Sequence, residues 1–194
     1  KTISIFKYLS SILGGIIVAL EKLPGFPGDE KALQEIEAGL PYFIDIYEWH
    51  GRDVVLGRGT KLNPDINVEA CEKGKASLLR RMGGGGAVVL LPGVWVITSC
   101  YAKGNNSINI PLTLERIALE IKASLEQIAN IEICLRGMGD LCLGDKKILG
   151  SSLYIGRGAI LYQGSLLVSA DLHCISQFLN HPSKEPNYRQ GRDH

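Results

Sequence analysis

The sequence predicts an α+β fold, with a mixed, mostly antiparallel sheet and flanking helices, and three observations carry that reading. Runs rich in β-branched and aromatic residues recur at 41–49, 87–101 and 147–168. One long stretch, 112–129, places apolar residues at helical spacing. Strand-like and helix-like segments do not alternate strictly, which argues against a parallel βαβ sheet.

With 194 residues the chain has room for one well-buried core, so a single domain over 1–194 is expected. The apolar run Ile12 to Leu20 follows Lys1 and Lys7 but is about half the length a membrane span needs. No small-residue cleavage site follows it, and it reads as a core element. Residues 22–31, "KLPGFPGDEK", are dense in Pro and Gly and read as a loop. In "DEKALQEIEAG" an acidic start, Ala32, Leu33 and Ile36 at helical spacing, and Gly39 as a stop predict a short helix. "PYFIDIYEW" (41–49) predicts a strand, with "RDVVLGRG" (52–59) as its antiparallel or neighbouring partner.

"NVEACEKGK" (67–75) suits a short helix ending at Gly74. In 87–101 two β-rich runs are broken by Pro92-Gly93, a hairpin signal. Across 112–129, Leu114, Ile117, Ile121, Leu125 and Ile128 fall on one helical face. "KILGSSLYI", a Gly-Arg-Gly turn and "AILYQGSLLV" return to strands, and a last helix over about 171–180 ends before Pro182. The polar tail 182–194 is expected to be mobile.

The 21 basic and 20 acidic residues leave a net charge of +1, with no excess to neutralise a phosphate backbone. Neither a nucleic acid nor a membrane is expected as partner. Five cysteines, Cys71, Cys100, Cys134, Cys142 and Cys174, form an odd set without a CxxC pair, which suits reduced thiols in the cytoplasm. His50 and His173 are isolated and read as structural, and no GxSxG motif occurs.

The chemistry concentrates in "RRMGGGGAVVLLPG" (80–93). Glycine lets a ligand approach the main chain, and successive amides make a nest that favours anions. Arg80 and Arg81 add fork-shaped donors suited to carboxylate or phosphate. The run matches neither the P-loop nor the GxGxxG pattern. A second segment, "GDLCLGDKKILGSS" (139–152), sets Lys146 and Lys147 at the mouth of a strand, ahead of Gly150, Ser151 and Ser152. A third, "LYQGSLLV" (161–168), breaks an apolar strand at Gly164-Ser165. Three such sites in one short chain suggest a common pocket.

These segments together resemble the lipoate-protein ligase A family. Arg80, Arg81, Gly83 to Gly86, Ala87 and Val88 resemble its arginine and glycine-rich motif. "GDLCLGDKKILGSS" resembles its ND-L-V…(R/K)K-(I/V)-x-G-S segment, "YQGSLL" its HHGTLL, and "YEWHGRDVVLGRG" the strand pair leading into its lGr. The match covers roughly residues 29–180 in the right order and spacing. "GGGGAVVLLPG" further resembles divergent single-chain ligases found alongside lipoate-binding proteins of sulfur metabolism.

The resemblance implies the biotin/lipoate-ligase fold without the accessory C-terminal domain of longer ligases. It implies ATP-dependent activation of lipoate or octanoate as an acyl-adenylate. Transfer then follows to a lysine of a small lipoyl carrier: a lipoyl domain, a glycine-cleavage H-like protein or a lipoate-binding protein. It places the carboxylate- and phosphate-holding lysine on Lys147, with Lys146 beside it. Arg80, Arg81, Gly83 to Val88, Gly150, Ser151, Gly164 and Ser165 would bind the acyl-adenylate. Asp140 would help place Mg²⁺, with a turn-forming role an equal alternative, and Arg157, in the turn between the late strands, would meet phosphate or solvent.

The chain departs from the family at Leu90-Leu91, where a His-Asp pair is usual, at Gly83 in place of Ser, and at Tyr162-Gln163 in place of the histidines, with Ser165 for Thr. Two other readings therefore stay open. One is an ATP-independent octanoyl- or lipoyltransferase working through a thioester on Cys134 or Cys142. The other is a non-catalytic module that only binds lipoate.

Overall fold

The computed structural model of the chain describes residues 23–105 and 107–180. Helix α1, Pro27–Glu37, leads into strand β1, Tyr42–Glu48, and strand β2, Asp53–Leu56. Two short helices follow, α2 over Leu62–Asp65 and α3 over Val68–Lys73, then β3, Ser77–Arg80, β4, Ala87–Leu90, and β5, Val94–Ala102. The long helix α4, Ile110–Ala129, precedes β6, Cys134–Arg136, β7, Asp140–Leu143, β8, Lys146–Ile155, and β9, Ala159–Leu167. Helix α5, Leu172–Phe178, comes last.

The strands form two sheets. The larger runs β1-β5-β9-β8-β7-β6 and is antiparallel throughout. The smaller runs β3-β2-β4, with β2 parallel to β3 and antiparallel to β4. This is the mixed, mostly antiparallel arrangement that the sequence predicts. The α4 helix buries Leu114 and Ala118 on one face of the large sheet, against Ile97, Leu141, Leu149 and Tyr162. The opposite face carries α1, whose Ala32 and Ile36 pack on Cys100 and Leu161, and a second core shared with the small sheet.

Several local expectations are corrected. The Pro92-Gly93 break is not a hairpin: β4 pairs with β2, while β5 pairs with β1 and β9 in the other sheet. Gly93 has φ +89, its amide donates to Glu48, and its carbonyl accepts from Val168 and Ser169, so the turn carries the chain between sheets. Likewise β2 does not pair with β1. Helix α1 begins at Pro27, inside the segment read as loop, because a proline without its N–H is suited to the first helical turn. Ile128 leaves the apolar face of α4 at 81% exposure, near the helix end at Asn130, which has φ +51. The apolar run 12–20 and the tail 182–194 lie outside the described residues.

Candidate functional site

The glycine run forms a loop joining β3 to β4, and its carbonyls are tied inward. Gly83 O accepts from the Arg58 amide at 2.9 Å, and Gly84 O from Arg81 Nη2 at 2.7 Å. Gly85 O accepts from Thr60 Oγ1 at 2.8 Å, and Gly86 O from both Arg81 Nη2 at 2.9 Å and the Gly57 amide at 3.1 Å. Among the described residues, none accepts from the amides of Gly83 to Gly86. With the carbonyls held by the protein, the amides are the groups of this loop left for a ligand.

Arg81 holds this loop, and Arg80 holds the neighbouring segment 57–60. Arg81 is 6% exposed and, besides Gly84 and Gly86, donates to Val55 O at 3.1 Å. Arg80 Nη1 donates to the carbonyls of Gly57, Arg58 and Thr60, at 2.8, 3.3 and 3.1 Å. Burial pulls the Arg81 guanidinium down to about 10, with the Asp29 charge opposing the shift. Sequence reasoning assigned these forks to a ligand; in the structure Arg80 Nη1 and both Arg81 Nη atoms donate to the chain's own carbonyls. Gly57, which sequence reasoning left in the background, packs so closely on the Gly85 carbonyl that a β-carbon there has no room.

Asp29, in the first turn of α1, was also missed, because an acidic residue at a helix start reads as solvated. It is 1% exposed, and its Oδ2 accepts from the Met82 amide at 2.6 Å. Burial pushes its carboxyl up to about 6, against the Met82 bond and the Arg81 charge.

The loop meets the large sheet at β8. A β-carbon on Gly83 would sit 2.6 Å from Ser152 Oγ. Two residues earlier, a β-carbon on Gly150 would meet Lys147 Cε and Nζ at 2.9 and 3.0 Å, so the lysine folds across that strand position. Gly150 and Ser152 share a face because side chains alternate along a strand, and they lie about 7 Å apart. Lys147 Nζ and the glycine loop therefore border one region of the sheet. Lys147 also forms a 2.8 Å ion pair with Asp140, whose side chain is 13% exposed. Ser165, opposite Gly150, and Gln163, opposite Ser152 and Thr98, complete this face. The Thr98 hydroxyl and the Gln163 amide nitrogen are buried without a protein partner, as are Asp29 Oδ1 and Arg81 Nε.

Other predicted positions lie elsewhere. Ser151 and Gly164 pair on the α4 face, where Ser151 Oγ donates to Gly139 O at 3.2 Å and Gly164 makes room for Tyr162 and Leu149. Ala87 and Val88 begin β4 behind the loop, opposite Leu56 and Val55. Leu90 and Leu91, the departure from a polar pair, are 2% and 5% exposed in the core. Lys146 is exposed at the start of β8. Arg157 is exposed in the β8–β9 turn, ten residues on from Lys147 and so about 30 Å along the strand. His50 and His173 are both exposed. Cys142 is buried opposite Cys134 and Lys147 in register, and burial pushes its thiol up although Arg136 and Lys147 pull it down. No group of three or more His, Cys, Asp or Glu able to hold a metal occurs among the described residues. Among them no helix is long and apolar enough to cross a membrane.

Known proteins resemble this chain in sequence and fold. It is 29% identical over 143 residues to a protein of Mycoplasma genitalium described as a probable lipoate-protein ligase A. That match covers 70% of this chain and only 40% of the relative, so the chain spans less than half of that protein's length. A crystal structure of lipoate-protein ligase A bound with ATP superposes with TM-score 0.70 at 24% identity, over 80% of this chain and 66% of that one. A putative lipoate protein ligase from Thermoplasma acidophilum with bound lipoic acid gives 0.67 at 23%, over 80% and 69%. These likenesses establish the fold. The family model for the lipoyl protein ligase A/B catalytic domain matches residues 27–193, and the chain belongs to that family.

Proposed function

We propose that this chain supplies the catalytic domain of an ATP-dependent lipoate-protein ligase. The observation that carries the reading is the unengaged row of glycine amides bordered by the ammonium of Lys147. The nest would hold the phosphate side of the nucleotide, and Lys147 the acyl carboxylate together with the α-phosphate. The carboxylate oxygen of lipoate or octanoate attacks the α-phosphorus of ATP, and the bond to pyrophosphate breaks. Lys147 neutralises the negative charge gathered between the two anions, which lowers the barrier to their approach. A carrier lysine, as free amine, then attacks the acyl carbonyl; the bond to AMP breaks and the nitrogen loses a proton. Held reactants need no diffusional encounter, so positioning supplies much of the rate.

Asp140 is the carboxylate beside Lys147 and would be the protein ligand of nucleotide-bound Mg²⁺, since such ions take few protein ligands and several phosphate oxygens. The ion would add positive charge at the phosphates. Lipoyl domains, glycine-cleavage H-like proteins and lipoate-binding proteins are the carriers this chemistry suits, and the cytoplasm the compartment. At Cys142 the thioester route is disfavoured, because burial suppresses its thiolate.

The test is pyrophosphate release with ATP and lipoate. The expected result is release by the unaltered chain and at least a hundredfold loss in Lys147→Ala. Carrier acylation without ATP, abolished in Cys142→Ala or Cys134→Ala, would overturn the reading.

A further inference from the structure

Asp29 lies 53 residues before Met82 in sequence, yet its Oδ2 accepts the amide that opens the glycine run. The next residue back, Arg81, carries the fork that holds Gly84 and Gly86, and its charge acts on Asp29. The loop is thus gripped at its entrance by a carboxylate on α1 and along its length by the guanidinium beside it. Helix α1 in turn is fixed on the large sheet through Ala32 and Ile36.

We propose that Asp29 is a positioning residue for the glycine loop: ionised, it orients Met82 and Arg81 so that the Gly83–Gly86 amides face the ligand, and protonated, it loosens them. The role of the loop rests on the ligase reading; the Asp29 link to loop order does not.

The groups around Asp29 leave it as the titrating member near neutral pH. Glu30 stands beside it on α1, and Lys31 on the same helix is paired with Asp45 of β1 at 2.6 Å. Tyr47 on β1 feels the Asp29 charge and is pushed up to about 12, chiefly by burial. Cys100 on β5 is pushed up to about 11, again by burial first. Neither changes charge between pH 5 and 8. From β9, Leu161 and Gln163 share this face and do not titrate. Burial raises Asp29 itself to about 6 and brings its ionisation into that range.

The test is amide hydrogen exchange of the full chain without ligand, on peptides covering 81–88, expressed as protection relative to intrinsic exchange at each pH. In the unaltered chain, protection is expected to fall at least fivefold from pH 7.5 to 5, with a midpoint near 6. Asp29→Asn keeps an acceptor for Met82 but cannot ionise, so its protection should be flat across that range. Asp29→Ala should be at least fivefold less protected at pH 7.5, with α4 peptides unchanged to show that the fold persists. The proposal is overturned if Asp29→Asn follows the wild-type pH curve, or if Asp29→Ala keeps wild-type protection. If the exchange results hold but no pyrophosphate is released, the ligase reading fails and this one stands.

Discussion

Gly83 and Ser152 touch: the glycine loop reaches the large sheet where a β-carbon on Gly83 would come within 2.6 Å of the Ser152 hydroxyl oxygen. That spacing demands that one side give way when Gly83 gains a side chain. Gly83→Ala should lower the rate of pyrophosphate release about tenfold by lifting the loop away from Lys147, a shift worth about 1.4 kcal/mol. The double variant Gly83→Ala with Ser152→Gly should recover most of it. A double variant as slow as the single one would show that the contact does not set the loop.

Gly57 meets backbone rather than a side chain, the Gly85 carbonyl, whose oxygen already accepts from Thr60 Oγ1. Gly57→Ala should therefore destabilise the chain by about 1–3 kcal/mol, as overpacking does. Urea unfolding of both chains checks this. An unchanged midpoint would mean that β2 and the loop slide apart freely.

Asp29 gives stability a pH dependence whose sign follows from its raised carboxyl. Unfolded, it titrates near 3.8; folded, near 6, so folding takes up a proton between these values. Its contribution to global stability is present in full below about pH 4 and is lost as pH rises through 6. The loop alone has the opposite sign, because a loosening that leaves α1 docked removes the Met82 amide, which favours the ionised form, while burial stays. Asp29→Asn removes this slope. Unfolding midpoints measured from pH 4 to 7 should diverge between the two chains, and parallel curves would count against the assignment.

Cys142 faces Lys147 across β7 and β8 but lies buried with its thiol pushed up. Cys142→Ala should retain carrier acylation within about threefold at saturating ATP. Loss of acylation with pyrophosphate release intact would place the thiol in the transfer step.

Helix α4 provides a contrast within one element. Leu114 is 7% exposed, and Leu114→Ala should cost about 2–5 kcal/mol, whereas Ile128→Lys should stay within about 0.5 kcal/mol. Paired thermal melts decide the matter.

Local pattern made α4 legible in the sequence, since four of its five apolar positions do line the core side. It also made the β8–β9 hairpin legible, since Gly156-Arg157-Gly158 joins runs that pair directly. Pairing over long separations was not legible. A Pro-Gly turn between two β-rich runs has the same local chemistry whether the strands pair or part, and only the tertiary position of β2 sends β4 to another sheet. The site divides in the same way. Lys147, Gly150 and the glycine loop were visible as residue types suited to anions. That Ser151 and Gly164 fall on the α4 face depends on strand register, which one residue of slip would reverse. No sequence pattern reveals that the acceptors for Arg80 and Arg81 are the chain's own carbonyls.

Four glycines in succession would ordinarily be among the most adaptable segments of a chain. Here each carbonyl is already satisfied, so the freedom of the run is surrendered when the protein folds rather than when an anion arrives. The ordering cost of the run is thus met by contacts within the protein, and an anion bound there, as proposed, would have less of it left to supply.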